Sequence, residues 1–192
     1  MLIVLSGFLM TTQLGIVRLI SEEISVFEII LFRSLFGLIA ISPVIAGGFQ
    51  IYLKPNRPGL AILCGALAFF ASTFLYLAAK HLPIADITAI HFTRPLFAAL
   101  LAALILREAL RGNRTIALIA GFIGAAVIIR PGVVDLNIGV LYVFGVVAVQ
   151  SWNPINRKLL SKSEHPDTVA IWNILTILPL AFIASLFFWT TP

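Results

Sequence analysis

The chain of 192 residues holds one cysteine, Cys64, and three histidines, His81, His91 and His165. A lone thiol excludes a disulfide framework within one chain, and histidines this far apart have no metal-ligand spacing. Neither a metal nor any other cofactor is expected. Charge is also scarce: 11% of residues are Asp, Glu, Lys or Arg against 60% apolar, and the mean hydropathy is +1.08. A water-soluble domain of this length needs a far more polar surface, so the solvent is largely lipid. The net charge of +5 does not point to a nucleic acid, because the basic residues sit in short breaks between apolar runs. Membrane topology explains them better.

What is abundant is apolar sequence in runs of span length. A helix needs roughly 20 apolar residues to cross a bilayer. The runs fall at 2–19, 24–46, 59–79, 84–106, 115–129, 138–155 and 168–189, so seven spans are expected. The expected fold class is an all-α, polytopic transmembrane helix bundle. Its breaks carry Gly47 and Gly48 followed by Pro55 and Pro58, then Pro83, then Arg111 to Arg114 around Gly112, then Arg130, Pro131 and Gly132. The first run is apolar and N-terminal, yet it lacks a basic n-region and a small-x-small cleavage site. It reads as a retained helix. The fifth run is the shortest, and it spans only if its flanking residues reach towards the headgroups or the helix stands nearly upright.

Of the 13 Lys and Arg residues, eight follow even-numbered spans: Lys54, Arg57, Arg107, Arg111, Arg114, Arg157, Lys158 and Lys162. Arg18, Lys80 and Arg130 follow odd-numbered ones, and Arg33 and Arg94 lie within spans. This bias places the even loops and the N-terminus in the cytoplasm. The expected location is multi-pass in the inner (plasma) membrane. Small residues recur at helical spacing in the third span (Ala61, Gly65, Ala68, Ser72) and the fifth (Ala117, Gly121, Ala125), which suits close helix packing in lipid.

The first and last pairs of spans echo each other faintly, with Gln13 against Gln150, Arg18 against Arg157, and Phe32-Arg33 against Trp172-Asn173. A repeat of five spans would place its second copy in inverted orientation. The stretch Phe27-Glu28-Ile29-Ile30-Leu31-Phe32-Arg33-Ser34, the helix start Leu82-Pro83-Ile84-Ala85-Asp86, and Pro95-Leu96-Phe97 with Arg107-Glu108 resemble the EamA-type repeat of the drug/metabolite transporter superfamily. The segment from Gly121 to Ile129-Arg130-Pro131-Gly132 is similar to the close of that family's first repeat. Members of the family have ten spans in two five-helix repeats. The resemblance implies a first EamA-like repeat over 1–132 and an incomplete second repeat of two helices over 133–192. It implies a secondary transporter of a small metabolite or drug-like solute working by alternating access. The chain is then expected to be truncated in its second repeat, as a fragment, a truncated product or a frameshifted relic. The alternative is a transport-inactive helix bundle or an assembly partner.

Charges within spans are informative because each costs roughly 2.5 to 3.5 kcal/mol at mid-span on insertion scales. At about 1.5 Å per residue, Arg33 and Arg94 lie roughly 14 to 15 Å from the outer ends of their spans. That is near the midplane, where transporter sites usually lie. His91, Arg94, Pro95 and Ala98 share one helix face, and Pro95 frees a carbonyl one turn earlier. Gln13, Ser72, Tyr76, Gln150, Asn153 and Asn173 can complete a polar lining. The candidate solute-binding residues are Gln13, Arg33, Tyr76, His91, Arg94 and Gln150. Either the two arginines attract an anionic or zwitterionic solute, or they are neutralised by Glu28 and Asp86 on the same two helices. Glu28 and Asp86 are the coupling-ion candidates, with His91 a further proton carrier, and Asp86 also suits the dipole of its helix start. Glu108 with Arg107 and Arg111 reads as a cytoplasmic anchor. Trp189 reads as an interfacial belt residue, and the cluster around Gln150 and Trp152 either faces the cavity or marks the interface.

Other functions fit less well. A microbial-type retinal protein needs a lysine in its last span, and 168–189 contains none. A membrane enzyme needs converging acid, nucleophile or metal ligands, and no such constellation is present. The partners expected are a lipid bilayer and a small-molecule solute. Oligomeric state is left open, a homodimer included.

Overall fold

A computed structural model describes residues 2–21, 23–52, 54–91, 93–106, 116, 119–121, 123–124, 138–160 and 163–189. The regular elements among them are helices: α1 (Leu2–Ile20), α2 (Val26–Tyr52), α3 (Pro58–His81), α4 (Ile84–His91), α5 (Arg94–Leu106), α6 (Ile138–Leu160) and α7 (Pro166–Phe187). Lipid offers the backbone no hydrogen-bond partner, so apolar runs satisfy their own amides within helices. Proline marks two of the starts. Pro58 opens α3 and Pro166 opens α7, at positions where a missing N–H costs nothing.

Among the described residues, five stretches are long and apolar enough to cross a bilayer: Val26–Pro43, Pro58–His81, Ile84–Leu101, Ile138–Leu160 and Pro166–Phe187. A shorter apolar stretch, Gly7–Ile20, lies in α1. The expected fifth span, 115–129, falls mostly outside the described residues, as do Arg107, Glu108 and the Arg130-Pro131-Gly132 segment. Three boundaries differ from expectation. Gly47 and Gly48 do not end helix α2, which runs on to Tyr52, short of Pro55, although its span-length apolar stretch closes at Pro43. Helix α6 continues past 155 to Leu160. The fourth span is broken in two. Pro95 has no N–H to give the His91 carbonyl, and Thr93 closes the break by donating its N–H and Oγ1 to Ile90 O at 2.9 and 2.7 Å. The Thr93 carbonyl then accepts from Leu96 and Phe97, starting α5.

Helix α3 is the hub. It packs along α6 and α7 and more lightly on α1, α2 and α4, while α2 lies along α7 and α5 along α6. The buried core joins Leu14 and Val17 of α1, Ile30 of α2, Phe69 and Tyr76 of α3, Ile87 and Ile90 of α4, Val143 of α6 and Ala181 of α7. Glycine allows the closest approaches: any Cβ at Gly65 would collide with Thr176 of α7, and one at Gly121 with Leu96 of α5. Large apolar side chains face outward, among them Leu19 (80% exposed), Leu141 (70%) and Phe187 (79%). Such a surface is unsuited to water and suited to lipid. The chain is a multi-pass, all-helical membrane protein.

The connections sort to two ends. Asn56 Nδ2 donates to Ser163 O at 2.7 Å and the Arg57 N–H to Glu164 Oε1 at 2.8 Å, so the α2–α3 and α6–α7 loops meet. At the far end of α3, Lys80 lines a cavity of about 480 Å³ with Ser21 and Trp189.

Candidate functional site

A cavity of about 390 Å³ lies among α2, α3, α5, α6 and α7. Helix α2 contributes Arg33, α5 its first residue Arg94, α6 Gln150, Asn153 and Arg157, and α7 Asn173 and Ile177. The α3 wall is built of Ala68, Ala71 and Ser72, whose short side chains leave the space open. The small-residue stripe on α3 therefore divides: Gly65 packs on α7, while Ala68 and Ser72 line the cavity.

Two hydrogen-bonded groups hold the cavity's arginines. On one side Arg33 Nη1 donates to Tyr76 Oη at 3.0 Å, and Gln13 Nε2 donates to the same oxygen at 2.5 Å. Tyr76 is only 2% exposed, so its ring is fixed in the core while its hydroxyl orients Arg33. On the other side Arg94 Nη1 donates to Gln150 Oε1 at 2.7 Å, and His91 Nε2 lies 3.1 Å from that oxygen. Ser151 Oγ also donates to the Arg94 carbonyl at 3.3 Å, tying the start of α5 to α6. The break before Pro95 thus presents Arg94 at a helix start held against α6.

Both guanidinium bonds end on neutral oxygens. A guanidinium has five N–H donors, so Arg33 and Arg94 keep donors to offer a ligand. Among the described residues the cavity lining includes three arginines and no carboxylate. In a medium less polarisable than water such a lining attracts anions and disfavours cations.

The candidates named from sequence fall into three groups. Arg33, Arg94 and Gln150 line the cavity. Gln13, Tyr76 and His91 bond to those lining residues. Glu28 and Asp86 are not among the lining residues: Glu28 is buried on α2 at 3% exposure, and Asp86 is exposed in the first turn of α4. Arg33 and Gln13 also line an apolar groove of about 530 Å³ between α1 and α2. The charged lining residue that sequence does not point to is Arg157, whose position after an even-numbered span suits a loop charge. Its signal was spacing: Gln150, Asn153 and Arg157 stand three, four and seven apart, one face of a helix that continues to Leu160.

Residues 1–130 match the sequence model of the EamA-like transporter family. The chain belongs to that family. This EamA-family chain is similar to the S-adenosylmethionine uptake transporter of Rickettsia prowazekii (strain Madrid E), at 28% identity over 86% of the chain and 56% of the relative. The protein of the same name from Rickettsia felis (strain ATCC VR-1525 / URRWXCal2) is 30% identical over the same shares. A riboflavin transporter of Vibrio cholerae serotype O1 is 30% identical over 76% of the chain and 49% of the relative. The chain spans about half the length of the curated relatives it matches. No solved structure matches it. The relatives are named transporters.

Proposed function

We propose that this chain carries the solute site of a secondary transporter for a small metabolite bearing an anionic group, and that the site is the cavity between Arg33 and Arg94. The observation that carries this reading is the lining itself: among the described residues, three guanidinium groups and no carboxylate, two of the three oriented by neutral partners and left with free donors. Gln13, Tyr76, His91 and Gln150 position the arginines and the solute. Glu28 and Asp86 serve as coupling-ion groups if protons drive the cycle.

The working cycle is alternating access, with seven spans arranged as a five-helix repeat over 1–132 and the first two helices of an inverted copy over 133–192. Two features support that plan. Gln13 and Gln150, paired by the sequence echo, each belong to a hydrogen-bonded group holding one arginine. The α2–α3 and α6–α7 loops meet at one end, as inverted repeats with even loops on one side require. The protein resides in an inner (plasma) membrane with a cytoplasmic N-terminus. Relatives named for S-adenosylmethionine and for riboflavin align at similar identity and so favour neither solute.

The test is uptake by proteoliposomes holding the purified chain, with a radiolabelled panel of S-adenosylmethionine, riboflavin, dicarboxylates, phosphate esters and basic amino acids. Saturable uptake of a panel member carrying an anionic group, competed by other anions and not by cations, is the expected result. A folded chain that takes up no panel member carrying an anionic group, or whose uptake is competed by cations lacking one, contradicts the reading.

A further inference from the structure

A second cavity, of about 370 Å³, lies at the end of the bundle where the α6–α7 loop meets Arg57. Leu160, Glu164, Pro166 and Val169 line it together with Arg157 and Asn173. Arg157 and Asn173 line the central cavity as well. The two spaces are therefore neighbours separated by these two side chains, one from α6 and one from α7.

One polar atom of this partition is left unsatisfied: Asn173 Oδ1 is buried with no hydrogen-bond donor. Buried polar groups without partners are costly. An acceptor beside a guanidinium with five donors can be satisfied when the arginine swings across, and released when it swings back. The charge pattern is also graded. Among the described residues the outer chamber is lined by one acid, Glu164, whose carboxylate accepts the Arg57 N–H at 2.8 Å, whereas the charged residues lining the inner chamber are arginines.

From this geometry we infer that the two cavities are successive chambers of one solute path, and that Arg157 with Asn173 forms the passage between them and selects the charge of what enters. The inference rests on the reading of the central cavity as the solute site. Arg157 is then a specificity-determining residue: its guanidinium draws an anion from the loop-side chamber and hands it to Arg94 and Arg33, and it repels a cation at the same point.

The test reads access rather than transport. In a Cys64→Ala background a single thiol is placed in the inner chamber by Ser72→Cys, within inside-out membrane vesicles. Vesicle orientation is checked with a separate Ser163→Cys variant. Anionic methanethiosulfonate ethylsulfonate and cationic methanethiosulfonate ethyltrimethylammonium are applied, and each rate is divided by its rate with free 2-mercaptoethanol. The normalised ratio is expected to favour the anionic reagent, to fall about three- to tenfold in Arg157→Gln through loss of one nearby charge, and to hold in Arg157→Lys. Asn173→Ser, which widens the passage without changing charge, is expected to raise both rates together. If Arg157→Gln does not fold, Asn173→Asp, which sets a carboxylate in the same passage, takes its place: the ratio is expected to fall, and an unchanged ratio overturns the inference. A thiol at position 72 that reacts with neither reagent in all variants, or a ratio indifferent to Arg157, overturns the inference. The two readings fail separately. Uptake lost in Arg94→Ala with a reagent ratio indifferent to Arg157 removes the passage and keeps the site. A ratio that shifts with Arg157 while uptake ignores Arg94 keeps the passage and removes the site.

Discussion

Gln150 Oε1 accepts the Arg94 guanidinium at 2.7 Å, so a residue of α6 fixes the direction of the arginine at the start of α5. The bond joins chain segments that lie 56 residues apart and gives the cavity one of its two charged walls. Gln150→Leu keeps the bulk and removes the acceptor. Solute affinity is expected to fall about tenfold or less, a loss of about 1 kcal/mol, because a hydrogen bond to a charged group is worth roughly 1.5 to 3 kcal/mol and water replaces part of it. Equilibrium binding to detergent-solubilised protein measures this. Unchanged affinity would show that Arg94 is held by other means.

Tyr76→Phe retains the buried ring and deletes the oxygen that both Gln13 and Arg33 use. The expected cost is about 1 to 3 kcal/mol of unfolding free energy, and Tyr76→Ala, which also opens a cavity, costs about 3 to 5 kcal/mol. Denaturant titration in micelles checks the order. A Phe variant as stable as the parent would mean that the hydroxyl orients nothing.

Gly65→Ala forces a Cβ against Thr176 and is expected to destabilise by about 1 to 3 kcal/mol. Gly15→Ala meets no atom within 4 Å and should be neutral or slightly stabilising. Thr176→Gly in the Gly65→Ala background should recover part of the loss. Equal unfolding midpoints for the two alanine variants would refute the close α3–α7 contact.

Glu164 places a carboxylate on the Arg57 N–H at the N-terminus of α3, where the helix dipole favours negative charge. Glu164→Ala is expected to lower stability by about 0.5 to 1 kcal/mol at low salt, with the difference shrinking in high salt. A loss that persists undiminished in high salt would assign Glu164 a packing role instead.

Some of this was legible in the sequence and some was not. The helical class followed from hydropathy alone. Arg33 and Arg94 stood out because lipid penalises charge, and Pro95 pointed to the disruption before α5 because it lacks an amide. The partners were not legible: nothing in one sequence pairs Gln13 with Tyr76 or Gln150 with Arg94, since those bonds depend on how helices distant in sequence are packed. Arg157 escaped for a different reason. Its charge fitted the topology rule so well that its place on the Gln150–Asn153 face went unread until α6 proved to extend to Leu160. Gly47 and Gly48 misled in the opposite sense: they lie beyond the apolar stretch that closes at Pro43, yet α2 carries on through them to Tyr52.

The central claim is that the arginine-lined cavity binds the solute, and uptake by Arg94→Ala and Arg33→Ala proteoliposomes, matched for folded protein by size-exclusion chromatography, tests it most directly. The account predicts that each variant raises the KM for the transported anion about tenfold or more, equivalent to about 1.4 kcal/mol or more, and that Arg94→Lys recovers part of it. Uptake with unchanged KM in both alanine variants would contradict it.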